Sequence, residues 1–263
     1  MSRRLSRTGW LPNQHGAWAI LVVPVALGML ARARAGGLPG WAWPLLACWI
    51  VGYFAFFAAG LWLKAAPTRR AGYRRPLLTY GGVTAGLGLV ALAWQGGSLL
   101  EWLVAFVPLV AGTALLTARR RDRDLLSGVL TLTSSALMFA VMRFTTPSAA
   151  LHAIGTRDAG VAALVWAYFL GTLLYVKTMI RERGHRSWWV GSLGWHAACL
   201  VVGVGLAAAH GASPWWIVAL VVALARAAAV PWLAVSRGRH ITPRQIGIAE
   251  IGLVSLVVVA ALT

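Results

Sequence analysis

The chain has 263 residues, 59% of them hydrophobic and only 11% charged, with a mean hydropathy of +0.73. Soluble domains of this length do not have that composition, so a water-soluble enzyme is excluded. The formal net charge of +18 would suit a nucleic-acid binder, but the basic residues lie in short clusters between apolar runs, and no nucleic-acid partner is expected.

Taken in order, the apolar runs predict nine spans, at 15–32, 42–63, 77–95, 99–117, 125–143, 159–178, 188–210, 214–235 and 245–262. The expected fold is all-α, a polytopic transmembrane helical bundle forming one domain over residues 1–263. Short connections make successive helices antiparallel neighbours. No small-residue cleavage site follows the first run, so it is expected to stay as a span. Gly82 and Gly86 form a small-xxx-small pair expected to admit a close helix contact. Cys48 and Cys199 lie in apolar runs without disulfide or metal spacing.

The entry to the first span is polar: Asn13, Gln14 and His15 stand directly before it, and Pro24 interrupts it. Hydrogen-bonding side chains at a membrane mouth need partners. Pro24 also frees a backbone carbonyl that a neighbouring helix must satisfy.

Charge sets the orientation. Arg3, Arg4, Arg7, Lys64, Arg69, Arg70, Arg74, Arg75, Arg119, Arg120, Arg121, Arg123, Lys177, Arg181, Arg183, Arg186, Arg237, Arg239 and Arg244 fall on one set of alternating connections. Only Arg32, Arg34, Arg143 and Arg157 fall on the other, and Arg226 lies within a span. The positive-inside rule then puts the N-terminus in the cytoplasm and the C-terminus outside, in an inner (plasma) membrane.

Two groups carry candidate chemistry. Lys177, Arg181, Glu182 and His185 crowd the connection after the sixth span, where Lys and Arg donors suit a phosphate or diphosphate. Arg226 and Glu250 lie inside the eighth and ninth spans at depths differing by roughly 6 Å, at ~1.5 Å rise per residue. Intramembrane charges usually pair and face the interior. A structural ion pair and a substrate or proton-pathway role are both open. Thr131, Thr133, Ser134 and Ser135 either face the same cavity or bond to their own helix. Asp122 and Asp124 are expected to pair with the arginines around them. His196 and His210 share one span with no matching pair elsewhere, so haem is not called for. No His/Cys/acid spacing suits zinc, and no P-loop or G-x-S-x-G run occurs. The expected cofactor is none, and the expected metal is none.

The run Pro12-Asn13-Gln14-His15-Gly16-Ala17-Trp18-Ala19 resembles the hallmark of the YwiC-like family of bacterial integral membrane proteins. Lys177, His185 and the run Ile241-Thr242-Pro243-Arg244-Gln245-Ile246-Gly247 continue the resemblance. It implies a bacterial membrane protein and brings no activity with it. Arg74-Arg75-Pro76-Leu77 is also similar to the Arg-Pro-Leu run of the UbiA-type intramembrane prenyltransferases. That likeness implies nine spans, with the site in the connections after spans two and six. The Asp-rich motifs that hold magnesium and diphosphate in those enzymes are missing, since residues 64–75 contain no acid. A relative that binds an anionic lipid or isoprenoid without metal fits both observations.

The expected function is binding or processing of an anionic lipid or isoprenoid phosphate in a pocket open to the cytoplasm. Its candidate lining is Asn13, Gln14, His15, Arg75, Lys177, Arg181, Glu182, His185, Arg226 and Glu250. The alternatives are a transporter or proton-coupled carrier using Arg226 and Glu250, and a non-catalytic membrane assembly factor. Whether the chain is an enzyme stays open. Membrane lipids are the expected partners.

The orientation is directly testable. Reporter fusions should place Met1 in the cytoplasm and Thr263 outside; a cytoplasmic C-terminal reporter would break the nine-span alternation.

Overall fold

The computed structural model describes residues 8–12, 16–210, 213–236 and 241–263, without the side chains of His210, Val235, Pro243 and Arg244. Asn13, Gln14 and His15 lie outside the described residues. The regular structure is helical: α1 Ala17–Gly36, α2 Ala42–Lys64, α3 Ala71–Gln95, α4 Leu103–Ala118, α5 Leu125–Phe144, the short α6 Pro147–His152, α7 Arg157–Ile180, α8 Arg186–His210, α9 Pro214–Ser236 and α10 Pro243–Leu262. A 3-10 segment, Gly97–Trp102, leads into α4. Among the described residues, nine helices are long and apolar enough to cross a membrane, in the order and close to the positions the sequence predicts.

The third helix starts earlier than expected. It begins at Ala71, which puts Arg74 and Arg75 on its exposed first turns and Pro76 within it. Pro76 lacks the N–H that would reach the Gly72 carbonyl. Gly72 is exposed at the helix end, where that carbonyl can find other partners, so the proline does not stop the helix. At the start of α10, Thr242 and Gln245 form a reciprocal capping box, with Pro243 at the first helical position. The Thr242 N–H donates to Gln245 Oε1 at 2.8 Å, and the Gln245 N–H donates to Thr242 Oγ1 at 3.3 Å. The run that carries part of the family resemblance thus also serves as a helix start.

The chain forms two compact units. One comprises the residues up to Leu21 together with Gly28–Leu151; the other comprises Val22–Leu27 and His152–Thr263. In the first unit, α1 crosses α5 so closely that a Cβ on Gly28 would stand 2.5 Å from the Phe139 carbonyl oxygen. Only glycine fits there. Gly82 and Gly86 do not play this part. Both are exposed on α3 and face nothing within 4 Å, while the neighbouring Gly88 is the one that packs against Cys48 of α2. The small-xxx-small spacing was present, but it lies on the other face of the helix.

Pro24 behaves as expected of an intramembrane proline. It cannot bond to the Ile20 carbonyl one turn back, and Ser135 Oγ of α5 donates to that oxygen instead. Trp49 Nε1 of α2 donates to the adjacent Leu21 carbonyl at 2.9 Å. Thr131 and Ser134 bond back to the Ser127 and Leu130 carbonyls of their own helix. At one end of the unit, Thr145 holds a left-handed φ of 66°. Arg32 Nη1 donates to its hydroxyl at 2.5 Å, and Trp102 Nε1 donates to its carbonyl at 2.8 Å.

The acids among the basic connections are paired. Asp122 takes a hydrogen bond from Lys64 Nζ at 2.9 Å, so its partner is a lysine rather than one of the arginines beside it. Asp124 pairs with Arg121 at 2.6 Å. Partial burial works to raise the Asp122 pKa, but the Lys64 hydrogen bond and charge outweigh it and hold the carboxyl below its ordinary value. Both partners are about a third exposed, so the pair is worth less than about 1 kcal/mol.

The proline caps give a clean test. Ser135→Ala should destabilise the purified protein by about 0.6–1.7 kcal/mol, the range of interhelical hydrogen bonds in bilayers. In a Pro24→Ala background the same change should cost almost nothing, because residue 24 then supplies its own N–H. Thermal unfolding of the four variants checks this, and equal losses in both backgrounds would refute the cap.

Candidate functional site

The second unit packs α7, α8, α9 and α10 around Tyr175, Met179, Ala227, Ala234 and Ile246. Into this apolar core the helices place a chain of polar groups. Arg226 of α9 donates through Nη1 to Glu250 Oε1 of α10. Their side chains are only 10% and 12% exposed, so this is an ion pair inside the unit. Thr172 of α7 donates to the other Glu250 oxygen at 3.4 Å. The second guanidinium nitrogen of Arg226 lies 3.4 Å from His196 Nε2 of α8. His196 Nδ1 lies 2.7 Å from the Ser192 carbonyl, which can only accept, so Nδ1 carries the proton and the Nε2 lone pair faces Arg226. The guanidinium carbon sits 4.1 Å from the centre of the Tyr175 ring, a cation–π contact.

Each contact has a local cause. Tyr168, Thr172 and Tyr175 recur at helical spacing and share one face of α7. Gly171 lets His196 approach, since a Cβ there would stand 3.0 Å from Nε2. The cluster is not fully satisfied. The Tyr168 hydroxyl, the Ser192 hydroxyl and Arg226 Nε are buried without a hydrogen bond of ordinary geometry.

A cavity of about 230 Å³ lies in the same unit, where α7 gives way to α8. Thr178, Arg183, His185 and Arg186 are its polar lining residues, and Met179, Trp189, Pro231 and Trp232 are apolar ones. The turn before α8 depends on Gly184, whose φ of 84° is costly for other residues. Arg183 Nη2 leans on the Ala234 carbonyl at 3.4 Å. Pro231 leaves the Ala227 carbonyl without its helical donor, and Trp189 Nε1 takes that place at 3.0 Å. Trp189 therefore lines the cavity and caps the residue next to Arg226.

The sequence-derived candidates separate into groups. His185 lines the cavity, and Arg226 and Glu250 meet one another in the core. Lys177 is buried, with Nζ 5.3 Å from the Trp188 ring centre, and does not line the cavity. Arg181 is exposed at the α7 cap and Glu182 is half-buried in the turn that follows. Arg75 is exposed on α3 of the first unit. Asn13, Gln14 and His15 fall outside the described residues. Ser135 donates to the Ile20 carbonyl within the first unit rather than joining a site with Arg226. Thr172, Tyr168, Tyr175 and His196 were not foreseen as partners of the pair. The 168–172–175 spacing on α7 was the available signal.

Nine helices long and apolar enough to cross a membrane, among the described residues, define a multi-pass helical membrane protein, and the four of the second unit hold a buried ion pair. The chain belongs to the YwiC-like family, whose pattern it matches over residues 11–143. It is 31% identical to the "Uncharacterized protein YwiC" of Bacillus subtilis (strain 168) over 196 residues, covering 71% of this chain and 73% of that one. It is 24% identical over 254 residues to an "Uncharacterized protein" of Haemophilus influenzae (strain ATCC 51907 / DSM 11121 / KW20 / Rd), covering 95% and 94% of the two chains. No solved structure matches the chain.

The ion pair makes a thermodynamic cycle. Arg226→Met and Glu250→Gln should each cost about 3–5 kcal/mol, because each strands the opposite charge. The double variant should recover much of that loss. Thermal stability of the four proteins in detergent measures the coupling, and simply additive effects would mean the two residues are independent.

Proposed function

We propose that the protein binds an amphipathic anion, an isoprenoid phosphate or anionic lipid, through the cavity of the second unit. The observation that carries this reading is the lining itself, which joins Arg183, His185 and Arg186 to Met179, Trp189, Pro231 and Trp232. Guanidinium groups bind phosphate oxygens in pairs and stay charged at any physiological pH. Tryptophan and methionine offer polarisable apolar surface to the first carbons of a chain. At about 30 Å³ per water, 230 Å³ holds on the order of eight waters, which suits a headgroup while the tail lies along the membrane. Trp232 is 59% exposed, an apolar surface a tail could follow outward.

In the orientation the basic residues predict, the connection from α7 to α8 faces the cytoplasm of a bacterial plasma membrane. In this reading the basic side chains of the cavity hold the headgroup by charge. Among the described residues no group of three His, Cys, Asp or Glu side chains could hold a metal ion.

Tryptophan fluorescence with farnesyl phosphate, and with farnesol as the uncharged control, tests the reading. Farnesyl phosphate should bind and farnesol should bind far more weakly. Arg183→Ala with Arg186→Ala should lower phosphate affinity roughly tenfold or more, since a hydrogen bond to a charge contributes about 1.5–3 kcal/mol. Chelators should leave binding unchanged. Equal binding of farnesol, or magnesium-dependent binding of the phosphate, would refute the proposal.

A further inference from the structure

In the first unit, two rows of exposed side chains end in arginine. On α3 the row starts at Arg74 and Arg75 and continues through Leu78, Gly82, Gly86 and Leu89. On α4 it runs through Val104, Val107, Ala111 and Leu115 and ends at Arg119. Steps of three and four residues keep each row on one helix face. Both helices are long and apolar enough to cross a membrane, so these are the faces that meet hydrocarbon. Both also pack against α2. Where α2 ends, at Lys64, the two basic connections are tied together. Lys64 Nζ holds Asp122 at 2.9 Å, and Arg120 Nη2 donates to the Lys64 carbonyl at 3.3 Å. The arginine ends of both rows therefore lie at the same end of the unit.

We propose that this end of the first unit is a docking surface for anionic phospholipid, with Arg74, Arg75 and Arg119 holding phosphate headgroups. The surface is separate from the cavity of the second unit and does not depend on what that cavity binds. Three observations select this partner. The acids of residues 64–75 and 119–124 are Asp122 and Asp124, and Lys64 and Arg121 already hold them. Neither connection has a further acid to offset Arg74, Arg75 or Arg119. The arginines also continue the rows of Leu78 and Leu115, one step along the same faces, so a lipid can lay its chains on the row and its phosphate on the guanidinium. An acidic protein or a nucleic acid would have to approach from water, away from these rows. Finally, the cations are arginines, whose planar fork grips two phosphate oxygens at once, while the long stem bridges hydrocarbon and headgroup. A zwitterionic lipid brings its own ammonium beside the guanidinium, and a lipid of net negative charge does not.

Native mass spectrometry of the full chain, released from vesicles of equal parts phosphatidylglycerol and phosphatidylcholine with matched chains, tests the surface. Phosphatidylglycerol should be retained in preference, and rising salt should weaken its retention. Each of Arg74→Gln, Arg75→Gln and Arg119→Gln should lower that retention about fivefold, and the triple variant on the order of a hundredfold. If the triple variant does not insert, the single variants decide. Arg34→Gln, an exposed arginine on the other set of connections, should change nothing. Equal retention of the two lipids would overturn the proposal, as would a preference that survives the glutamine variants or falls equally with Arg34→Gln. Polyglutamate or transfer RNA binding to the protein in phosphatidylglycerol nanodiscs, and lost in the triple variant, would show that the arginines serve a partner from water and would also overturn it.

Discussion

A backbone carbonyl released by proline inside hydrocarbon has no water to turn to, and this single constraint organises both units. In the first, the Ile20 carbonyl that Pro24 leaves without its helical donor is taken by Ser135. In the second, Pro231 releases the Ala227 carbonyl and Trp189 takes it. Each repair crosses between helices, so each proline fixes which neighbour must lie beside it. A break in one helix becomes a specific contact between two, and helix association in lipid otherwise lacks much directional force.

The same scarcity of solvent governs Arg226 and Glu250. A charge in the bilayer centre costs at least about 2.5 kcal/mol on insertion scales, and a paired one is affordable only when its other valences are met. Glu250 meets them with Arg226 and Thr172; Arg226 meets them with Glu250, His196 and the Tyr175 face. The incomplete members, Tyr168, Ser192 and Arg226 Nε, mark where the cluster departs from a purely structural solution.

The sequence makes the spans legible because hydrocarbon thickness enforces one length on every crossing helix. It makes the Arg226–Glu250 contact legible because depth follows from counting residues. The beginning of α3 is hidden by Arg74, Arg75 and Pro76, which look like a connection but lie in the first turns of the helix, the arginines exposed and Pro76 buried. Gly82 and Gly86 give a spacing without saying which face it serves, whereas Gly28 and Gly171, with no such motif, are the tight positions. His196 lacks the second pair that a bis-histidine haem needs, yet a lone histidine needs only one acceptor and one donor, here the Ser192 carbonyl and Arg226. The cavity depends on a turn at Gly184 and a tryptophan borrowed by a proline on another helix, neither of which a linear pattern displays.

Arg32 stands on the side of the chain where basic residues are scarce, and its bond to Thr145 explains its presence there. The two residues are 113 positions apart. At about 5–20 residues per second, a ribosome needs roughly 6–23 s to make that interval. During that time α2 to α4 are made one after another while Thr145, the corner that also receives the Trp102 indole, does not yet exist. The early helices are therefore a provisional arrangement in the membrane during synthesis, and the first unit acquires its clasp only when the fifth long helix has been delivered.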